Sequence, residues 1–507
     1  MKAGYLKNRL LTFNSIRGLS TSFNNSSIFK TAAYVNGEWK NFENTYPLTN
    51  PSNQEEISKV VDCGVGDYNE AIKYAHEAFK SFRYSSPQQR SQILYNVYDL
   101  MQEHKADLAK LITLENGKTL NDSLSEVEYS ASYFKWFAEE APRIYGNIIP
   151  SSSSNNKKIL TLRQPLGVVA ILTPWNFPSA MIARKLAPVI ATGNTCVIKP
   201  AHETPLSALA LGWLCEQAGL DVGACNILPT THTKAVGEYV CSHDLVRKIT
   251  FTGSTKVGKE LMRQCAQSSS VIKRVSMELG GNAPFIIFED ADISRALDGL
   301  ISCKFRQSGQ TCICANRIFI HESIYDEFAT KLVERIENTF HLGDGFDPKV
   351  THGPLIHQQA IEKVSSLVED AKNKGARVLT GGTRANSLGQ LFYHPTVLGN
   401  VNETMEIFNK EVFGPVASLI KFKTVDEVIE RANSTDVGLA GYFYSSDVGK
   451  IFEVAERLEV GMVGVNNSSI SDAAMPFGGV KNSGLGREGS SFGIEDYTEL
   501  KSIVLEP

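Results

Sequence analysis

Two thiols, Cys312 and Cys314, stand one residue apart in the stretch KFRQSGQTCICANR (304–317), behind a Gly-Gln-Thr run and downstream of Arg306. The chain has nine cysteines. Seven of them, Cys63, Cys196, Cys215, Cys225, Cys241, Cys265 and Cys303, are accounted for as small buried hydrophobes. That account fits Cys312 and Cys314 less well, because their segment is polar and carries glycine. A thiolate in such a place is a nucleophile. A guanidinium fork close by is well suited to a carboxylate. No zinc-type Cys/His spacing occurs, so no metal is expected.

Five other stretches carry unusual polarity or glycine: PWNFP (174–178), FTGSTKVG (251–258), MELGGN (277–282), EVFGPV (411–416) and PFGGVKNSGLGREG (476–489). Any one alone would be weak, and FTGSTKVG lacks the G-x-G-x-x-G dinucleotide fingerprint. Together and in this order they resemble the aldehyde dehydrogenase superfamily, from about residue 33 to the end. The resemblance puts Cys312 in the nucleophile's place, where attack on an aldehyde leads to a thioester that water later resolves. Asn176 then corresponds to the amide donor for the oxyanion, with the Cys312 N–H as its second donor. Glu278 corresponds to the base that activates water. Its presence favours hydrolysis to a free acid over transfer to a thiol.

The same resemblance implies a nicotinamide dinucleotide. Gly253, Ser254 and Gly258 open a helix whose N-terminal N–H groups suit a pyrophosphate. Lys199 matches the contact to the adenosine ribose, Glu411 and Phe413 fall at the nicotinamide half, and Trp175 is a further cofactor-binding residue. Three residues beyond Lys199, many NAD-preferring relatives carry a ribose-chelating glutamate, whereas this chain has His202. Without that carboxylate a 2′-phosphate is not repelled, so NADP is expected to be accepted, with NAD the alternative and Glu203 adjacent. Within the superfamily, WNFPSAMIARK, KFRQSGQTCICANR and NNSSIS resemble the succinate-semialdehyde dehydrogenases. That likeness gives Arg184, Arg306 and Ser471 the distal carboxylate of succinate semialdehyde; internal ion pairs are the competing account of the arginines. Cys314 is either a redox partner that closes a disulfide with Cys312 or a packed small residue. An extended backbone at Ile313 would set the two thiols on one face, near the far limit of disulfide reach.

These residues need a scaffold. Asp67 is expected to cap a helix with Glu70 three residues on, and Tyr68, Ala71, Ile72, Ala75, Phe79 and Phe82 recur at helical spacing. A second helical run is predicted from about Gln92 to Leu114. Then GVVAIL, TCVIKP, CNILP and KITFTG alternate with helical segments, the rhythm of a doubly wound parallel sheet with ligands beyond the strands' carboxyl ends. A second alternating series starts at APFIIF. SSSSNN (151–156) reads as a hairpin tip or a plain loop. The uncharged run Gln164–Ala183 is long enough to span a bilayer, but Pro165, Pro174 and Pro178 within it favour a strand followed by a loop.

The expected fold is therefore α/β: two doubly wound α/β domains, a Rossmann-like cofactor domain and a catalytic domain, plus a small β oligomerisation arm. With the resemblance, 30–145 and 167–280 form the NAD(P)-binding domain, 281–478 the catalytic domain, and 146–166 with 479–507 the arm. The net charge of −4 offers no attraction to nucleic acid or an anionic membrane. Before Glu38 there is no acidic residue, while Lys2, Lys7, Arg9, Arg17 and Lys30 are basic and Ser and Thr abound. That composition reads as a mitochondrial transit peptide over 1–25, with a disordered basic tail the alternative, and places the protein in the matrix. The resulting expectation is oxidation of succinate semialdehyde to succinate, the step that closes 4-aminobutyrate breakdown, by a homodimer or homotetramer. A dehydrogenase for another ω-oxo acid, such as glutarate semialdehyde, and a catalytically idle structural relative are the alternatives.

Overall fold

The computed structural model describes residues 23–506 other than Ser269, so most of the expected transit peptide lies outside the described residues. Five parallel strands form the centre of the first sheet, in the order Cys225–Ile227, Thr195–Lys199, Val168–Leu172, Val246–Thr252, Arg274–Glu278. Val168–Leu172 and Thr195–Lys199 are buried along their whole length, as strands covered on both faces must be. The uncharged run thus becomes a buried strand, a loop and the start of the helix Ala180–Thr192. Among the described residues no helix is long and apolar enough to cross a membrane. The second sheet runs Arg377–Thr380, Thr396–Gly399, Val416–Phe422, Ala315–His321, Ala283–Ile287, Ala440–Tyr444, Met462–Val465, all parallel except the first.

A third, three-stranded sheet stands apart from both. Ile148–Pro150 and Lys158–Pro165 pair antiparallel across the SSSSNN tip, so that stretch is the tip of a hairpin. Thr498–Leu505 pairs along the whole second strand of this hairpin. The C-terminal share of the arm begins at Thr498 rather than 479. Before that, Gly484–Leu485 adds an antiparallel edge to the first sheet beside Met277 and Glu278.

Two helix expectations change in detail. The first helix, Val65–Phe82, buries the six residues predicted, but Gly64 is its N-cap. Asp67 sits in the first turn and accepts the Gly64 N–H at 2.8 Å, while Glu70 pairs with Lys73 at 2.9 Å. The second run is two helices, Pro87–Glu103 and Lys105–Asn116, broken at His104. Its start lies earlier than predicted because Ser86 caps it, accepting from Gln89 N–H at 3.1 Å, and Pro87 occupies the first turn.

Glu115, near the end of Lys105–Asn116, caps a different helix. Its carboxylate accepts the N–H groups of Leu206 at 2.7 Å and Ser207 at 2.8 Å, and the Ser207 hydroxyl. This fixes the start of Pro205–Gln217, just beyond Lys199 and His202. Glu115→Ala should leave those buried donors unpaired and destabilise the fold by roughly 1–3 kcal/mol. Differential scanning calorimetry would read this as a lower melting point, with Glu115→Gln less affected because an amide oxygen still accepts.

Candidate active site

Chain order decides where the first sheet opens. From Val168–Leu172 the chain moves outward through Thr195–Lys199 to Cys225–Ile227, then returns to the other side with Val246–Thr252. The loops leaving Leu172 and Thr252 diverge, and a crevice opens at that switch point. The second sheet faces it with the segment that precedes Ala315–His321. Between them lies a cavity of about 380 Å³. Trp175, Asn176, Arg184, Gly253, Ser254, Arg306, Cys312, Glu411, Phe413 and Ser471 all line it. Lys199, His202, Gly258, Glu278 and Cys314 lie off its wall. Gly258 is tucked against Leu279, where a Cβ would collide with the leucine side chain.

The cysteine segment is strained. After the helix Ile293–Phe305, three consecutive residues, Gln307, Ser308 and Gly309, take left-handed backbone at φ 51°, 53° and 74°. For the two non-glycine residues that costs of order 1–3 kcal/mol each. Hydrogen bonds hold the turn: Ser308 Oγ donates to the Gly353 carbonyl at 2.7 Å, and the Gln307 amide to that of Asn176. Cys314 N–H then donates to the Thr311 carbonyl at 3.1 Å, closing a turn around Cys312 and Ile313. The extended backbone expected at Ile313 is therefore absent. Cys312 lines the cavity, whereas Cys314 is buried with its thiol 3.7 Å from the Lys304 carbonyl.

Asn176 donates from Nδ2 to the Gln310 carbonyl at 3.1 Å, and its Oδ1 has no protein partner. An amide nitrogen carries two hydrogens, so one remains for a ligand. Burial, followed by Glu411 and Glu278, pushes the Cys312 thiol up to about 12, with Arg184 the neighbour that opposes it. These surroundings favour the thiol over the thiolate at Cys312, whose side chain reaches the cavity half-buried.

Glu278 ends the strand Arg274–Glu278, 3% exposed, and neither carboxylate oxygen has a hydrogen-bond partner among the described residues. Burial and the nearby Glu488 hold its carboxyl well above the usual range, against Arg184, Lys185 and Arg487. Glu488 itself accepts from Arg184 Nε at 2.5 Å and from the Lys185 ammonium. Burial works against its charge, but Lys185 and Arg184 keep its carboxyl below the ordinary value. Arg184 lies 4.0 Å over the Phe477 ring, and its second terminal nitrogen has no partner. Both accounts of Arg184 thus describe part of it: it is in an internal ion pair and it lines the cavity. Arg306 lies over Phe177 at 5.5 Å and pairs with no carboxylate among the described residues.

The groups that could hold a dinucleotide are arranged compatibly. The helix Thr255–Ser268 starts at the cavity, with Ser254 Oγ accepting from Val257 N–H at 3.4 Å. Glu411 is oriented by the Gly281 N–H at 3.1 Å, and Trp175 meets Phe413 edge to face at 5.6 Å. Lys199 is buried at the end of its strand, its Nζ donating to the Pro200 carbonyl at 2.9 Å, and burial draws its pKa down to about 8. His202 is half-exposed, 3.3 Å from Glu203. Sequence reading missed Glu488, although it sits in the glycine-rich stretch 476–489, and it missed Lys118 and Glu126. The signal for Glu488 was an acid directly after Arg487 among glycines.

Residues 39–503 match the Aldehyde dehydrogenase family. Succinate-semialdehyde dehydrogenase [NADP(+)] 1 of Schizosaccharomyces pombe is 49% identical, over 96% of this chain and 98% of its own. The human mitochondrial succinate-semialdehyde dehydrogenase is 48% identical over 94% of this chain and 89% of its own. A structure of betaine aldehyde dehydrogenase from Staphylococcus aureus in complex with NAD+ matches with a TM-score of 0.90 at 35% identity, covering 94% of this chain and 95% of that one.

With Cys312 held as a thiol, iodoacetamide should alkylate it in the free protein at a rate rising about tenfold per pH unit, because only the thiolate reacts. The rise should continue past about pH 9, followed by mass spectrometry of the Cys312 peptide. A plateau below about pH 8 would show a thiolate that these surroundings do not support. Arg184→Met should slow the reaction at every pH, since the one favourable neighbour is lost.

Proposed function

The chain belongs to the aldehyde dehydrogenase family, and from that premise we propose that it oxidises succinate semialdehyde to succinate with NADP+ or NAD+. The observation that carries this is one cavity holding Cys312, Asn176 and two guanidinium groups, Arg184 and Arg306. A neutral aldehyde would gain little from two cations there, whereas a substrate ending in a carboxylate gains charge-assisted hydrogen bonds at each. The unpartnered nitrogen of Arg184 and the unpaired Arg306 are the donors for that carboxylate, with the Ser471 hydroxyl beside them.

Cys312 attacks the aldehyde carbon, forming a C–S bond and leaving negative charge on the carbonyl oxygen. The second N–H of Asn176 and the backbone N–H of Cys312 receive that charge; a donor of this kind lowers the barrier by roughly 3–4 kcal/mol. The thiol must lose its proton as it attacks. Glu278, in its carboxylate form a stronger base for its raised proton affinity and free of hydrogen-bond partners, takes it and passes it on to solvent. A nicotinamide dinucleotide, when bound, supplies the hydride acceptor. Glu411, Trp175 and Phe413 hold its nicotinamide half, and Ser254 with the start of the helix Thr255–Ser268 holds its pyrophosphate. Lys199 and His202 would meet its adenosine ribose. Once again a carboxylate, Glu278 takes a proton from water; the hydroxide adds to the thioester carbon, the C–S bond breaks, and the acid leaves as the sulfur of Cys312 regains a proton.

The acid-free, basic leader and the mitochondrial name of the human relative support a place in the mitochondrial matrix. A fluorescent fusion should lose that location when residues 1–25 are deleted. The exposed Ile148, Leu162, Leu500 and Val504 on the three-stranded arm support a homo-oligomer, which sedimentation would size.

Cys312→Ala should abolish turnover with cofactor binding kept, and Glu278→Gln should release at most one equivalent of reduced cofactor before stalling. Arg306→Ala should lower kcat/KM for succinate semialdehyde by about 10- to 100-fold, the equivalent of 1.5–3 kcal/mol for one charge-assisted contact. Butyraldehyde, of the same length without the carboxylate, should change little; equal losses on both would make the arginine structural. His202→Glu should shift the kcat/KM ratio from NADP towards NAD.

A further inference from the structure

Lys118 is 2% exposed, and its ammonium group spends all three hydrogens on three separate segments of the chain. It donates to Glu126 Oε2 at 2.6 Å, to the Asn176 carbonyl at 2.8 Å and to Gln307 Oε1 at 3.1 Å. The other oxygen of Glu126 accepts Ser179 N–H at 2.9 Å and Ala180 N–H at 3.2 Å, at the start of the helix Ala180–Thr192. The Gln307 amide donates to the same Asn176 carbonyl. Around this point Asn116 Nδ2 holds the Trp175 carbonyl at 2.9 Å, and the Phe177 ring lies 4.3 Å from the ammonium.

We propose that Lys118, with Glu126 and Gln307, is a positioning hub: it ties the backbone of Asn176 to the left-handed turn before Cys312, so that amide and thiol keep one spacing. This rests on the reading of Asn176 as the oxyanion donor. The case is physical. Burying an ammonium and a carboxylate costs several kcal/mol unless hydrogen bonds satisfy both, so packing alone would be better served by apolar residues. Two adjacent non-glycine residues in left-handed backbone persist only where the surroundings over-determine them. Here Gln307 is over-determined by Lys118 on its oxygen and Asn176 on its nitrogen. The loop carrying Asn176 leaves the first sheet, and the turn carrying Gln307 belongs to the second. Lys118 is thus where the two halves of the reacting centre are pinned together. A displacement of about 1 Å in such a centre can slow a reaction by about 100-fold.

The thiol has anchors of its own. The Gln310 side chain donates to the Pro354 carbonyl at 3.3 Å and accepts Ile356 N–H at 3.0 Å, two bonds without a hub residue, besides a longer one to the Gln307 carbonyl at 3.4 Å. Loss of the hub should therefore misplace the amide more than the nucleophile, and two measurements separate them. In the holoenzyme with succinate semialdehyde, the pre-steady-state burst of reduced cofactor reads formation and collapse of the oxyanion. Iodoacetamide alkylation of Cys312 reads the thiol alone, because no oxyanion forms.

Lys118→Met and Gln307→Leu should each slow the burst at least tenfold, with the aldehyde KM and the alkylation rate within about twofold of the parent. Gln307→Leu keeps the Lys118–Glu126 pair, so it carries the test if Lys118→Met does not fold. A parent-like burst in a folded variant overturns the proposal. So does an alkylation rate that falls in step with the burst, which would mark general loosening. Asn176→Ala is the control for the underlying reading. If it leaves the burst unchanged, Asn176 is not the oxyanion donor and that reading fails; if it slows the burst while the hub variants do not, the hub alone fails.

Discussion

Glu488 accepts hydrogen bonds from both Arg184 and Lys185 in a region closed to water, and the ionisation of the surrounding groups follows from that carboxylate. Two cations meet one anion there. Burial and the Glu488 charge work against a second anion at Glu278, by raising its proton affinity. One positive charge is left over, on a guanidinium with an unpartnered nitrogen beside the cavity. An excess cation in a dry site is unfavourable until an anion arrives. The preference for a carboxylate-bearing aldehyde is thus a property of the whole buried cluster, and Arg184 is the member that presents it.

The second requirement is mechanical. The amide leaves the first sheet at the carboxyl end of Val168–Leu172, while the thiol precedes the strand Ala315–His321 of the second. Neither sheet alone fixes their spacing. The chain holds it with a strained turn and a buried ion pair, both of which work against stability on their own. Their presence beside Asn176 fits a general pattern, in which strain collects where placement matters more than folding free energy.

Much of this was legible in the residues. The short apolar runs alternating with helices gave both doubly wound sheets, since burial on both faces leaves strands without polar alternation. The motifs brought Cys312, Asn176, Arg184, Arg306, Glu411 and Ser471 to a single cavity because each sits on, or within two turns of, a loop with distinctive punctuation. What stayed hidden depends on contacts between distant segments. Glu126 and Lys118 lie within helix-rich sequence, where a Glu and a Lys eight positions apart read as a solvated face. Their burial follows only from the packing of the Asn176 loop on top of them. The raised proton affinity of Cys312 was hidden for the same reason: sequence shows the thiol and the arginine but not the exclusion of water. The helix starts at Gly64 and Ser86 were displaced because a glycine cap leaves no side-chain signature and a Ser-Pro pair can equally end a loop.

Arg184 links the two requirements. It is the neighbour that favours a thiolate at Cys312, and it is also the cation free to meet the substrate's carboxylate. When the carboxylate binds, it neutralises the charge that was drawing the thiol's pKa down. A substrate that stabilised the thiolate before attack would demand the reverse. Proton loss must therefore accompany C–S bond formation, when the growing charge moves from sulfur to the carbonyl oxygen and onto the Asn176 amide. A carboxylate with raised proton affinity, free of hydrogen bonds that would hold its charge, suits that timing. This is the environment of Glu278. Substrate length enters through the same geometry. The aldehyde carbon must reach the thiol while the carboxylate reaches the guanidinium groups, so one extra methylene must fold or displace a contact, a difference of about 1–3 kcal/mol.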